Sequence, residues 1–193
     1  MKPLFLTLIL LLSLKLTYAQ TTLPGYYVDL KNDTIKADIK VKKGLSGNLT
    51  NNFTDKVEIV DGTKGLSTFL PEDIKSYGFS YNGYEHVFVS KPIKDGTKKF
   101  LHPVYTGTKS SLYTYGNYTY GGTFSSKQVY YTFEKNGDSY LFLKNTLNNN
   151  FRNQLKEFYQ DNSAAQALID TKFKYWLDLE QDLLQLMKKV NLQ

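Results

Sequence analysis

Ile35-Lys36-Ala37-Asp38-Ile39-Lys40-Val41-Lys42 is the stretch that decides the fold class. Apolar and charged residues alternate along it, so one face is apolar and the other is charged. That is the pattern of an antiparallel strand with one side on a core and the other in water. A slip of one residue would bury Lys36, Asp38, Lys40 and Lys42 together. Immediately upstream, Tyr26, Val28 and Leu30 share one face of a preceding strand, and Lys31-Asn32-Asp33 supplies the turn between the two runs.

Working outward, the period of two persists from Pro24 to about Lys144, punctuated by turn residues. Gly44 to Asn52 is rich in Gly, Ser, Asn and Thr, lacks periodicity and reads as a loop. Val57 and Ile59 precede an Asp61-Gly62 turn. Phe69-Leu70-Pro71-Glu72-Asp73-Ile74 reads as a strand end entering one helical turn, with Pro71 at the first helical position.

Three turns set the register of three hairpins. Asn82-Gly83 tolerates the positive φ angles of a type I′ turn and pairs Tyr81 with Tyr84. Gly116-Asn117, read as a two-residue loop, sets Tyr115 against Tyr118 and Tyr113 against Tyr120. Asn136-Gly137, read the same way, sets Phe133 against Tyr140 and Tyr131 against Phe142, with Tyr130, Leu141 and Leu143 on the opposite face. Both faces of this last ribbon are apolar or aromatic, so it is expected to be central or covered.

Beyond Lys144 the period lengthens to that of helices. Phe151, Leu155, Phe158 and Tyr159 follow i, i+4, i+7, i+8 spacing, and Asp161-Asn162-Ser163 offers an N-cap for a short segment through Ile169. A longer helix is expected from Thr171 to Val190, with Phe173, Trp176, Leu177, Leu183, Leu184, Met187 and Val190 along one stripe. The fold class that follows is α+β: an antiparallel sheet, as a sandwich or partly open barrel, followed by two to three C-terminal helices.

At the other end, Lys2 precedes an apolar run from Leu4 to Leu14, and Thr17 and Ala19 are small residues at the −3 and −1 positions of a peptidase site. This is the three-part pattern of a secretory leader. The apolar run is too short for a bilayer-spanning helix, which takes roughly 20 residues. The expected organisation is a signal peptide at 1–19, an antiparallel β domain at 20–145 and a helical segment at 146–193 packed on the sheet. Loss of Lys2 and Lys15 with the leader lowers the formal charge of +6 by two, to +4. That charge favours solubility and falls short of the basic patch that nucleic acid requires. The chain contains no cysteine, so neither a disulfide nor a lipid-anchoring thiol is available to an exported form.

Chemistry-bearing residues are sparse. His86 and His102 are the two histidines; neither belongs to a helical metal-binding pair, and no metal or cofactor is expected. Gly44-Leu45-Ser46-Gly47 comes nearest to a nucleophile elbow but lacks its strand-to-helix context, and no phosphate-binding glycine loop opens a helix. No catalytic residue is assigned. Glu58, Asp61, Glu72, Asp73, Glu85 and Glu134 supply the carboxylates that a glycosidase pair would draw on. Asn32, Asn48, Asn52 and Asn117 each begin an Asn-x-Thr triplet, and Asp33-Thr34-Ile35 has the form of a short O-glycosylation signal.

Tyrosine is the most distinctive feature: 16 in the chain, clustered between Tyr105 and Tyr131. Tyrosine suits a half-wet sheet face, where its ring packs and its hydroxyl stays hydrated. The functional reading is a ligand platform made by Tyr113, Tyr115, Tyr118 and Tyr120, stacking on a sugar or peptide.

Gly25-Tyr26-Tyr27-Val28-Asp29-Leu30 leading into Asp33-Thr34-Ile35-Lys36, Leu70-Pro71-Glu72-Asp73-Ile74-Lys75 with Phe79 after it, Phe100-Leu101 with Ser111-Leu112-Tyr113-Thr114-Tyr115, and Phe151-Arg152-Asn153-Gln154-Leu155 together carry a resemblance. The chain resembles a group of signal-peptide-bearing, β-rich envelope proteins common in Bacteroidota, of no assigned function. The resemblance implies export and a β-rich fold and supplies no catalytic residue. The leading functional expectation is an exported, non-catalytic binding or scaffolding protein in the periplasm, at the outer-membrane periphery or secreted. Its partner would be envelope polysaccharide or another envelope protein, with no nucleic acid and no transmembrane helix in the mature chain. Two alternatives stand beside it: a glycan-acting hydrolase using paired carboxylates, and a dimerising or partner-binding protein using Leu177, Leu183, Leu184 and Leu186 of the last helix.

Overall fold

The computed structural model describes residues 20–44, 47–50, 52–62, 65–116, 129–144, 149–173 and 178–192. The expected leader, Asn117 of the expected turn with Tyr118 and Tyr120, and Trp176 with Leu177 lie outside the described residues, while Gly116 ends a strand and pairs with Val129.

The described residues form one open antiparallel sheet followed by three helices. The strands are β1 Gln20–Val28, β2 Thr34–Lys42, β3 Val57–Asp61, β4 Gly65–Phe69, β5 Ser76–Tyr81, β6 Tyr84–Pro92, β7 Lys98–Tyr105, β8 Ser110–Gly116, β9 Val129–Lys135 and β10 Ser139–Lys144. Their spatial order is β10-β9-β8-β7-β6-β5-β1-β2-β3-β4. The helices are α1 Asn149–Phe158, α2 Ser163–Lys172 and α3 Leu179–Asn191.

The β1–β2 ribbon turns through Asn32 at φ 75°, and β2 buries Ile39 and Val41 as its alternation requires. In β1 the core-facing set is Leu23, Gly25 and Tyr27, which pair with Ile39, Ala37 and Ile35. The expected Tyr26, Val28 and Leu30 face is the other one: Tyr27 is buried and Leu30 is exposed. Packing decides this, because a ring at Tyr26 fills the space over Gly78, where an added Cβ would lie 2.9 Å from it. The Asn82-Gly83 turn has φ 51° and 79°, and Tyr81 pairs with Tyr84 as expected. Pro71 and Glu72 form a turn rather than a helical start. The Asp73 N–H donates to the Leu70 carbonyl, and the Asp73 carboxylate accepts from the Leu70 N–H at 2.7 Å.

Two separate cores form. The first joins Tyr27, Ile39, Val57, Ile59, Tyr77, Phe79, Phe88 and Phe100, and the loop residues Leu49 and Phe53 plug it. Tyr77 satisfies its buried hydroxyl by donating to the Phe53 carbonyl at 2.6 Å. The second lies beneath the helices: Phe151, Leu155, Ile169, Leu183, Leu186, Met187 and Val190 close over Leu112, Tyr131, Phe133 and Leu143. Asn162 caps α2 by accepting from the Ala165 N–H at 2.8 Å.

The single helix expected over 171–190 is divided. α2 ends at the cap residue Phe173, whose N–H donates to the Ile169 carbonyl at 3.3 Å, and α3 starts at Leu179. The break lets Ile169 and Phe173 of one segment and Leu183, Leu186, Met187 and Val190 of the other enter the same core. Leu183 and Leu186 are spent inside this core, leaving Leu184 half-buried.

Candidate functional site

Asn136 and Gly137 adopt φ 55° and 83°, the conformation their sequence favours, and the Asp138 N–H closes the turn on the Lys135 carbonyl. Strand pairing resumes one residue later than a two-residue loop allows, with Lys135 opposite Ser139. Asp138 is the extra residue. The ribbon therefore pairs Glu134 with Tyr140, Phe133 with Leu141 and Tyr131 with Leu143, correcting the expected Phe133–Tyr140 and Tyr131–Phe142 register. Phe133, Tyr131, Leu141 and Leu143 now face the helices, and Glu134, Thr132, Tyr140 and Phe142 face the other way.

The same parity continues across the sheet. Tyr113 pairs with Thr132 and Pro103, and Lys91 pairs with Lys99, which shares a face with Leu101 and Pro103. Lys91, Tyr113, Glu134 and Tyr140 consequently lie on one face, and their side chains converge. Lys91 Nζ donates to both Glu134 oxygens at 2.7 Å. The Tyr113 hydroxyl donates to Oε2 at 2.8 Å and the Tyr140 hydroxyl to Oε1 at 3.2 Å. The Lys91 ammonium also lies 5.1 Å from the centre of the Tyr113 ring.

Glu134 is 7 % exposed. Burial pushes its carboxyl up, but Lys91 and the two tyrosine hydroxyls outweigh that and hold it below the usual carboxylate range. Tyr113 is raised by burial and then by its bond to Glu134; Tyr140 is raised to about 12 by burial and by the Glu134 charge. Both tyrosines are therefore donors at neutral pH and Glu134 is an acceptor with four donated bonds. Such a carboxylate holds strands in place. It is poorly suited to deliver a proton, which needs a raised pKa.

Beside this network the same face carries aromatic pairs. Tyr115 stacks on its strand partner Tyr130 with ring centroids 4.9 Å apart and planes 15° from parallel. Tyr140 and Phe142 stack at 6.1 Å and 10°. All four are half-buried. Of the expected platform, Tyr115 presents its ring here, whereas Tyr113 is buried with its hydroxyl on Glu134. Tyr113 is flanked in the sheet by Pro103 and Thr132. Tyr140 and Phe142 join the face through the Asp138 register, a signal visible only as a third turn residue after Asn136-Gly137, and Tyr130 joins it through its pairing with Tyr115.

The remaining candidates are dispersed. Buried His86 stacks on Phe79 at 5.1 Å, and burial, then His102, lowers its pKa. His102 Nδ1 is 3.0 Å from the Val87 carbonyl oxygen. Among the described residues no three His, Asp or Glu side chains gather as metal ligands. Glu58 pairs with Lys40 at 3.3 Å, Glu85 accepts from Ser80, and Glu134 is the buried member of the six carboxylates considered above. The Asn32 amide oxygen accepts from Lys75 Nζ at 2.5 Å, and Asn52 accepts from Thr54. Among the described residues no helix is long and apolar enough to cross a membrane.

No family model matches this chain, and no curated protein or solved structure matches it.

Proposed function

We propose that this chain is an exported, non-catalytic binding protein of the bacterial cell envelope, whose ligand seats on the face bearing Tyr115, Tyr130, Tyr140 and Phe142. The observation that carries the reading is the pair of near-parallel stacks on the side of β8–β10 turned away from the helices. Rings held by strand pairing lose little further entropy on binding, and flat half-exposed aromatic faces suit the apolar side of a sugar ring. Envelope polysaccharide is the ligand class, with an aromatic-rich segment of another envelope protein as the competing partner in the test. The leader pattern and the resemblance to Bacteroidota envelope proteins support export.

The test is retention of the mature chain on immobilised envelope polysaccharide. A ring contact is worth about 1 kcal/mol, so replacing Tyr115 and Phe142 by Ser should weaken binding by roughly fivefold for each ring. Unchanged retention by a variant with the parent circular dichroism spectrum would end this reading.

A further inference from the structure

β7 is shared unequally by its neighbours. Residues 98–101 pair with β6 (Pro92–Lys98, Lys91–Lys99, Ser90–Phe100, Val89–Leu101), whereas residues 102–105 pair with β8 (His102–Thr114, Pro103–Tyr113, Tyr105–Leu112). No residue of β7 is paired on both sides. The ladder changes partner between Leu101 and His102, and it slips again between Pro103 and Tyr105.

The cause is local. Continuing the β6 register would set Pro103 opposite Val87, and proline has no N–H to offer. The His102 ring reaches the Val87 carbonyl instead, with Nδ1 at 3.0 Å. Each side of this break owns its core: Phe88 and Phe100 belong to one, Leu112 and Phe133 to the other. Across the break run the His102–Val87 contact, the Phe88–His102 ring contact at 6.1 Å, and Lys91 of β6, whose ammonium reaches both Glu134 of β9 and the Tyr113 ring of β8.

We infer that the chain moves as two units, β1–β6 with the first half of β7 and β8–β10 with the helices, pivoting at Leu101–His102 and latched by Lys91–Glu134. With the latch closed, Tyr113 and Tyr140 are drawn onto Glu134 and the units hold one spacing. With it open, the Leu101–His102 backbone and the contacts of His102 with Val87 and Phe88 remain, and the spacing varies. The inference rests on strand pairing and side-chain geometry and is independent of the proposed ligand.

The absence of cysteine from the sequence makes the test direct. Spin labels on Lys36→Cys and Gln160→Cys report the distance between units in the full mature chain, and labels on Lys36→Cys and Tyr84→Cys report a distance within the first unit. The parent should give a narrow distribution for both pairs. Lys91→Met should at least double the width between units and leave the width within the first unit unchanged. Glu134→Gln, which keeps one acceptor oxygen for a tyrosine hydroxyl and removes the charge that holds Lys91, should act in the same direction and carries the test if Lys91→Met fails to fold. An inter-unit width equal to the parent's in the folded variants, or equal broadening of both pairs, would overturn the pivot.

Discussion

Asn191 clasps the main chain of Ser110 from both sides: Nδ2 donates to the Ser110 carbonyl at 2.9 Å, and Oδ1 accepts from the Ser110 N–H at 3.2 Å. The same amide accepts from the Lys109 N–H at 2.9 Å and donates to the Met187 carbonyl at 2.8 Å. One side chain at the end of α3 thus fixes the β7–β8 turn. Asn191→Ala strands partly buried backbone groups and should cost about 2 kcal/mol, lowering the melting temperature by about 4–8 °C for a chain of this size. Thermal unfolding followed by circular dichroism measures it.

Gly107 lies directly against that amide, and a Cβ there would collide with Asn191. Gly107→Ala should therefore destabilise, and the double variant Gly107→Ala with Asn191→Ala should lose less than the sum of the two, because the smaller side chain vacates the space. Strict additivity in a double-mutant cycle would refute the contact.

Deleting Asp138 should leave Asn136-Gly137 as a two-residue turn that still closes with Lys135 opposite Ser139, so β10 keeps its register. Tyr140 should stay beside Glu134, and Leu141 and Leu143 should stay under the helices. A slip of one position would take two leucines from cover at a cost of at least about 3 kcal/mol, so the denaturation midpoint of the deletion variant should stay near the parent's. A sharp fall in midpoint with a rise in dye-accessible apolar surface would show that Asp138 itself holds the register.

The acid limb of stability should depend on Glu134. Lys91, Tyr113 and Tyr140 hold its folded pKa below the unfolded value, so its contribution is complete above the ordinary carboxylate pKa and disappears as pH falls through the folded one. Glu134→Gln should be less stable than the parent near neutrality and show a flatter decline below about pH 4.5. Parallel acid limbs in urea titrations at successive pH values would contradict this.

At the alkaline end, Tyr131 and Tyr140 are raised to about 12, burial being the main cause for each. Tyr113 and Tyr159 are raised further, again chiefly by burial. Folded pKa values above the unfolded one stabilise below about pH 10, and that stability is lost as pH climbs through the folded values. An ultraviolet phenolate titration should show a late-ionising class, and Glu134→Gln should move Tyr140 to lower pH by removing the neighbouring negative charge.

Much of the fold was legible from single residues. Alternation at Ile35–Lys42 names a strand because its side-chain period is two, Asn82-Gly83 fixes a hairpin because both residues tolerate positive φ, and Asn162 starts a helix because its side chain can replace a missing backbone acceptor. These are short-range properties, and the chain carries them whatever surrounds it. The helices after Lys144 were legible for the same reason, apart from the break after Phe173.

Tertiary structure decided the rest. Whether Tyr26 or Tyr27 enters the core depends on Gly78, about fifty residues away in the chain. Whether Asn136-Gly137 makes a two- or three-residue loop depends on which register buries Leu141 and Leu143 beneath helices that come later. Glu134 became a latch only because Lys91, 43 residues earlier, crosses the break in β7 to reach it. Local periodicity determines which element forms and which residues share a face. Facing and partnership are settled by competition for cover and for hydrogen bonds among residues far apart in sequence, and that information resides in the packed chain.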